Sequence, residues 1–125
     1  MKEWTKHWIK SKNPRKQRKY AINAPLHIAR KLMSVRLNKD LKQKYGKRNF
    51  PIRTGDRIKV MTGQFKGKLV KISEVNLKNK SVYLEDVFIV KKDGNKIPVK
   101  IHPSNLMIME LNLDDKLRKK ALERK

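Results

Sequence analysis

The first 48 residues hold sixteen Lys and Arg against only Glu3 and Asp40, a net of +14 in a stretch poor in apolar residues. Cations at that density repel one another and weaken any compact state, so the segment needs an anionic counterpart more than it needs a core. Before residue 20 there is no hydrophobic periodicity, only Lys10, Lys12, Arg15, Lys16, Arg18 and Lys19 in close succession. Such a stretch buries too little apolar surface to offset its ordering entropy, and the expectation is a basic arm that is disordered alone. Residues 49–125 are milder, 18 bases against 9 acids, which brings the 125-residue chain to +23. A polyanion is the natural partner, and nucleic acid is the commonest one.

Several classes drop out on simple grounds. The chain has no cysteine, so neither a disulfide framework nor a Cys-based zinc site is available. No run of 18 apolar residues is present, and the N-terminal residues lack the apolar core of a secretory signal, so the chain reads as intracellular and soluble with its partner. Three histidines far apart in sequence carry no metal-ligand spacing, and no nucleophile motif accompanies the serines. The glycine-rich segment lacks the spacing of a phosphate loop or a dinucleotide fingerprint. Asp114-Asp115 reads as a helix start, and the expectation is a protein without catalytic residues, metal or cofactor.

Helical signals begin at Asn23, a candidate cap, with Pro25 early and Leu26, Ala29, Leu32 and Met33 at spacings of three and four. A second short helix is expected from Asn38, with Leu41 and Tyr45 on one face and Gly46 as its C-cap. From Phe50 the pattern turns to strands. Arg57-Ile58-Lys59-Val60 alternates, a glycine-rich loop covers 62–67, and a long strand follows over 68–75. Asn76-Leu77-Lys78-Asn79 reads as a turn before Ser81-Val82-Tyr83-Leu84. Val87-Phe88-Ile89-Val90 and Ile97–Ile101 flank the hairpin signal Asp93-Gly94, with Pro98 placing the return strand at an edge. Leu106–Met109 is a last strand, and Asp114 to Lys120 suggests a short C-terminal helix with acids first and bases last. The fold class is mainly β, a small barrel with a basic N-terminal extension of short helices and a short C-terminal helix. The expected divisions are residues 1–22 (arm), 23–48 (helical extension), 49–111 (barrel) and 112–125 (C-terminal helix). The expected core is Ile58, Val60, Leu69, Ile72, Val75, Val82, Leu84, Val87 and Ile108.

The run from Arg53 to Ile72 resembles a KOW motif. Gly55-Asp56 turns into a strand, Gly63 and Gly67 allow the loop to approach a phosphate closely, Lys66 and Lys68 bring charge, and Phe65 offers a stacking face or an apolar anchor. One departure is Val70, where such motifs usually carry a third glycine. The flanks narrow the resemblance: Asn13-Pro14-Arg15-Lys16-Gln17-Arg18-Lys19, Asn23-Ala24-Pro25-Leu26-His27, Lys31-Leu32-Met33-Ser34, Lys44-Tyr45-Gly46, Ile101 to Ile108 and Leu111-Asn112-Leu113-Asp114. Over about residues 11–120 the chain is similar to the universal large-subunit ribosomal protein family numbered twenty-four in bacteria and twenty-six in eukaryotes, in its archaeal and eukaryotic branch. That resemblance implies an SH3-like barrel bound to large-subunit ribosomal RNA near its 5′ end. It also implies a part in early assembly, a place near the polypeptide exit tunnel, and cytoplasmic ribosomes as the location. Neighbouring ribosomal proteins, and factors at the tunnel exit, are the other partners it suggests.

The residues expected at the RNA are Lys12, Arg15, Lys16, Arg18 and Lys19 on the arm; Arg30, Lys31, Lys47 and Arg48 in the extension; and Arg57, Lys59, Gly63, Phe65, Lys66, Gly67 and Lys68 around the motif. Arginines offer forked phosphate contacts or stack on bases, and lysines act as point charges. Trp4, Trp8 and Tyr20 interleave with the charge as stacking candidates. His27 and His102 are expected to make structural hydrogen bonds. The competing readings are a KOW-bearing transcription elongation factor, which would need a separate α/β domain that residues 1–50 are too basic to form, and a non-specific nucleic-acid coating protein, which the specific turn chemistry disfavours.

Overall fold

The computed structural model describes residues 4–5 and 10–124; Trp8 lies outside the described residues. Two helices open the described chain, α1 (Pro14–Asn23) and α2 (Leu26–Leu32). They are followed by β1 (Ser34–Leu37), α3 (Lys39–Tyr45), β2 (Asn49–Pro51), β3 (Arg57–Val60), β4 (Leu69–Asn76), β5 (Ser81–Leu84), β6 (Phe88–Val90), β7 (Lys96–Pro98), β8 (Leu106–Glu110) and α4 (Lys116–Glu123). Six strands form one sheet in the order β2-β1-β8-β3-β4-β5, with β1 and β8 parallel and the other neighbours antiparallel. The two ends of this sheet, β2 and β5, are not joined by strand pairing among the described residues. Even so, Val35, Leu37 and Phe50 at one end share a single core with Val82 and Leu84 at the other. The sheet therefore curls around its apolar face without closing the hydrogen-bond ladder.

Alternation explains most of the core. On β3, Ile58 and Val60 are buried while Arg57 is exposed, as the period-two pattern requires. β8 contributes Leu106 and Ile108 from its inward face. Register corrects one expected core residue. Lys59 pairs with Leu69, antiparallel partners share a face, and Leu69 is accordingly 51% exposed. Val70 pairs with Ile58 and faces inward, half-buried, with no irregularity in the β3–β4 ladder. A bulge between Ile72 and Glu74 then shifts the phase of β4, so that Val75 packs against the core.

The N-terminal half departs most from expectation. Residues 14–23 are helical, started by Asn13, whose side chain accepts from the Arg15 N–H at 3.0 Å, with Pro14 in the first helical position. Asn23 is the last residue of α1 rather than a cap. Ala24 precedes a proline and adopts an extended conformation, which breaks the helix there. On α2 Ala29 is buried and Met33 just beyond it is buried, whereas Leu26 is 76% exposed. β1 has no counterpart among the expected elements: Ser34–Leu37 sits between β2 and β8 and sends Val35 and Leu37 into the core. α3 matches expectation, with Asn38 as cap and Gly46 left-handed at its end.

Asp56 links these parts. It is fully buried, and both its oxygens accept from Arg118 of α4 at 2.6 Å. The backbone N–H groups of Arg53 and Asn112 add hydrogen bonds at 2.9 Å each. Arg118 also donates to the Asn112 and Pro51 carbonyls at 2.7 and 3.2 Å. Gly55 makes room for this turn: it has φ +83°, and a Cβ there would lie 3.1 Å from the Asn112 side-chain nitrogen. Leu122, four residues after Arg118 and so on the same face of α4, is buried in the core. Arg53 pairs with Asp115, the N-cap of α4, and Lys47 donates to the Ala121 carbonyl near its other end.

Removing one partner of a buried ion pair leaves the other charge uncompensated, so Asp56→Ala is expected to lower unfolding free energy by about 3–5 kcal/mol in urea denaturation. Pairing Asp56→Leu with Arg118→Met should recover much of that loss. A second expectation concerns acid. The Arg53 hydrogen bond, then the Leu117 N–H, holds the Asp115 carboxyl below its usual range. A lowered folded pKa gives stability that is present above the unfolded pKa and lost as pH falls through the folded one. The melting temperature should thus fall below about pH 4, and Asp115→Asn should flatten that limb of the profile.

Candidate nucleic-acid interface

Helix α1 carries Arg15, Lys16, Arg18 and Lys19, all exposed, and contains no buried residue and no acid. Arg15 and Lys19 are one turn apart, as are Arg15 and Arg18, so like charges face each other along the helix. A ten-residue helix of this kind is marginal in water, and an anion along its basic face would relieve the repulsion. Tyr20, one turn beyond Lys16, packs on Trp4, ring centroids 5.1 Å apart and tilted by 37°. Lys12 precedes the helix and is exposed, and Arg30 and Lys31 are exposed on α2.

Within the sheet, the β3–β4 loop brings together Gly63, Phe65, Lys66, Gly67 and Lys68. Its shape is set by backbone hydrogen bonds: the Gly67 N–H donates to the Val60 carbonyl at 2.8 Å, and Val60 N–H to the Lys68 carbonyl at 3.0 Å. Lys66 N–H closes onto the Gly63 carbonyl at 3.1 Å. Gly63 and Gly67 hold φ +92° and +90°, a region that disfavours side chains. Lys66 and Lys68 are exposed, and the Lys68 ammonium stands 5.2 Å from the Phe65 ring centroid. Phe65 is half-buried, packed in part against the core and in part left accessible.

Other expected residues divide into exposed cations and cations used inside the protein. Arg48 and Arg57 are exposed, although Arg57 also reaches Glu110 across the β3–β8 pair at 3.5 Å. Lys59 is half-buried on β3. Lys47 is half-buried, donates to the Ala121 carbonyl and lies 5.9 Å from the Phe50 ring centroid, so it tethers α4. His102 makes the structural hydrogen bonds expected of it, with Nδ1 2.8 Å from the Ser104 hydroxyl and accepting from the Ser104 N–H at 3.3 Å.

A further basic surface lies outside the expected set. The β6–β7 hairpin forms its own two-stranded sheet, and Lys91, Lys92, Lys96 and Lys100 on or beside it are all exposed. Four lysines in ten residues were the available signal, masked by the stronger turn pattern among them. Gly94, with φ +79°, sits in that turn as Asp93-Gly94 suggested. Among the described residues no cluster of His, Asp and Glu suits a metal ion, and no helix is long and apolar enough to cross a membrane.

Gly67→Ala is expected to lower stability by about 1–2 kcal/mol, the penalty of a left-handed L-residue, with little rearrangement of the open space around it. Thermal unfolding together with amide exchange at Val60 and Lys68 would register it.

Residues 11–125 match the family described as ribosomal proteins L26 of eukaryotes and L24 of archaea. The chain is 46% identical over 115 residues to the large ribosomal subunit protein uL24 of Methanosphaera stadtmanae, covering 92% of this chain and 98% of that one. It is 45% identical over 117 residues to the large ribosomal subunit protein uL24 of Korarchaeum cryptofilum, covering 94% and 89%.

Proposed function

The chain belongs to the family of eukaryotic L26 and archaeal L24 ribosomal proteins, and on that premise we propose that it is a structural component of the large ribosomal subunit that binds ribosomal RNA. The observation that carries this reading is that the family likeness and the exposed cations run over the same residues, from Lys12 through the β3–β4 loop. A structural role also suits a surface whose basic groups are spread over an arm, a loop and a hairpin rather than gathered about a reactive centre. We read the curled, unclosed sheet as a module of the SH3-like kind, with the β3–β4 loop as its phosphate-facing part. In functional terms residues 1–22 serve as the arm, 23–48 as the extension, 49–111 as the module and 112–125 as its helical clasp.

The mechanism is electrostatic positioning. Arg15, Lys16, Arg18 and Lys19, with Lys12, displace counterions from RNA phosphates and give most of the affinity. Arg30, Lys31, Arg48, Arg57 and Lys59 extend the same footprint. Lys66 and Lys68, held by the loop's own hydrogen bonds, set the register, because a rigid loop presents its charges at one spacing only. The site is the 5′ region of large-subunit RNA near the tunnel exit, entered early in assembly within cytoplasmic ribosomes.

Crosslinking in cells followed by sequencing of the attached RNA tests the assignment. Crosslinks concentrated in the 5′ region of large-subunit RNA are expected, and crosslinks scattered over nascent transcripts would point to transcription instead. In binding assays, deletion of residues 1–22 should reduce affinity and flatten its salt dependence. Lys66→Ala with Lys68→Ala should lower the slope of log K against log salt by about 1.5, at roughly 0.7–0.9 per phosphate contact.

A further inference from the structure

A groove of about 350 Å³ separates the β3–β4 loop from the β6–β7 hairpin. Phe65 and Gly63 line it from the loop, Ile89 and Val99 from the hairpin side, and Lys100 and His102 from the segment that leads back to β8. Neither the family likeness nor the number of cations requires such a groove. It also accounts for an oddity of the hairpin: Ile89, paired with Ile97, is 51% exposed, and no further strand covers it among the described residues. Exposed apolar side chains grouped on a projecting element mark a binding surface.

Its lining narrows the occupant. No carboxylate is among the lining residues, Lys100 stands on the wall, and Lys66 and Lys68 belong to the same loop as Phe65. The occupant is therefore anionic. The lining between these cations combines apolar Val60, Phe65, Ile89, Val99 and Ile101 with uncharged polar Thr62, Gln64 and Asn105, which suits a flat body that carries hydrogen-bonding edges. His102 adds a polar ring to the lining, held in place by its Nδ1 contacts with the Ser104 N–H and hydroxyl. A volume of this size falls within the range of pockets that take a small ligand. Phosphate with a base attached satisfies all of these conditions, because RNA is read chiefly where unpaired bases can be splayed out against apolar and aromatic side chains.

The geometry points to this groove as a pocket for one unpaired nucleotide of the bound RNA, its base between Phe65 and the Ile89–Val99 wall and its phosphate at Lys100. This rests on the RNA-binding reading above and adds to it a means of choosing a site. The arm supplies affinity for any RNA, whereas the groove favours a position where a nucleotide leaves the stack.

The test uses the full chain and two RNA duplexes of equal length, one fully paired and one with a single bulged 2-aminopurine. The bulged duplex is expected to bind about tenfold more tightly, since stacking one base on a side chain has an effect of that order. Ile89→Trp fills the groove from an exposed position, so thermal unfolding should be unchanged while the preference disappears and affinity for the paired duplex persists. Lys100→Ala should weaken the preference in the same direction. Equal binding of the two duplexes by the wild type, or a preference that survives Ile89→Trp, overturns the inference. A photocrosslinker at position 89 that attaches to a neighbouring protein rather than RNA in assembled subunits overturns it too. Failure of the wild type to bind either duplex at moderate salt would instead count against the RNA-binding reading itself.

Discussion

Asp56 is a carboxylate with no exposure to solvent, in a chain whose positive charge exceeds its negative by 23, and it is matched by a guanidinium 62 residues further on. A buried ion is tolerated only when its hydrogen-bonding capacity is filled, and here four donors fill it. The geometry is the planar fork that arginine alone provides, so lysine at position 118 would not reproduce it. Because Arg118 also holds the Pro51 and Asn112 carbonyls, one contact joins β2, the turn before β3, the segment after β8 and α4. The sheet ends that strand pairing leaves apart are drawn over a common core with α4 laid against it.

This arrangement separates two uses of positive charge. Arg53, Arg118 and Lys47 hold α4, and their charge is met by Asp115, Asp56 and a backbone carbonyl. Those on α1 and on the β3–β4 loop remain at the surface. The protein therefore contains an internally neutralised body and an outer layer of cations that repel one another. A polyanion stabilises the outer layer without disturbing the inner one. Such a division lets the sheet and α4 fold on their own hydrogen bonds while the cations of α1 repel one another at the surface.

Many of the strand positions were legible because period-two alternation is local: Arg57-Ile58-Lys59-Val60 announces one exposed and one buried face. The β3–β4 loop was legible for a similar reason, as Gly63 and Gly67 mark a backbone that needs positive φ. The start of α1 was also written in the chain, in Asn13-Pro14, but the weight of charge obscured it. β1 was not legible. Ser34-Val35-Arg36-Leu37 alternates too briefly to outweigh the helical pattern before it, and only parallel pairing with β8 makes it a strand. Leu69 shows the converse failure, an apolar residue turned outward by register. Of the candidate interface, the exposed position of the cations on α1 and in the loop followed from charge and glycine spacing. The contact of Lys47 with the Ala121 carbonyl was not legible, because it depends on where the fold brings the end of α4.

The residue pattern alone determined the sign and distribution of charge, the strand and turn alphabet from Phe50 to Met109, the glycine loop and the family resemblance, since each is a local or compositional property. Tertiary structure decided which arginines are buried, which face of β4 is apolar after its bulge, and that Ile89 and Phe65 line the same groove. Those outcomes depend on pairing and burial between residues tens of positions apart. The free energy of such contacts exists only once the chain has brought both partners out of water together.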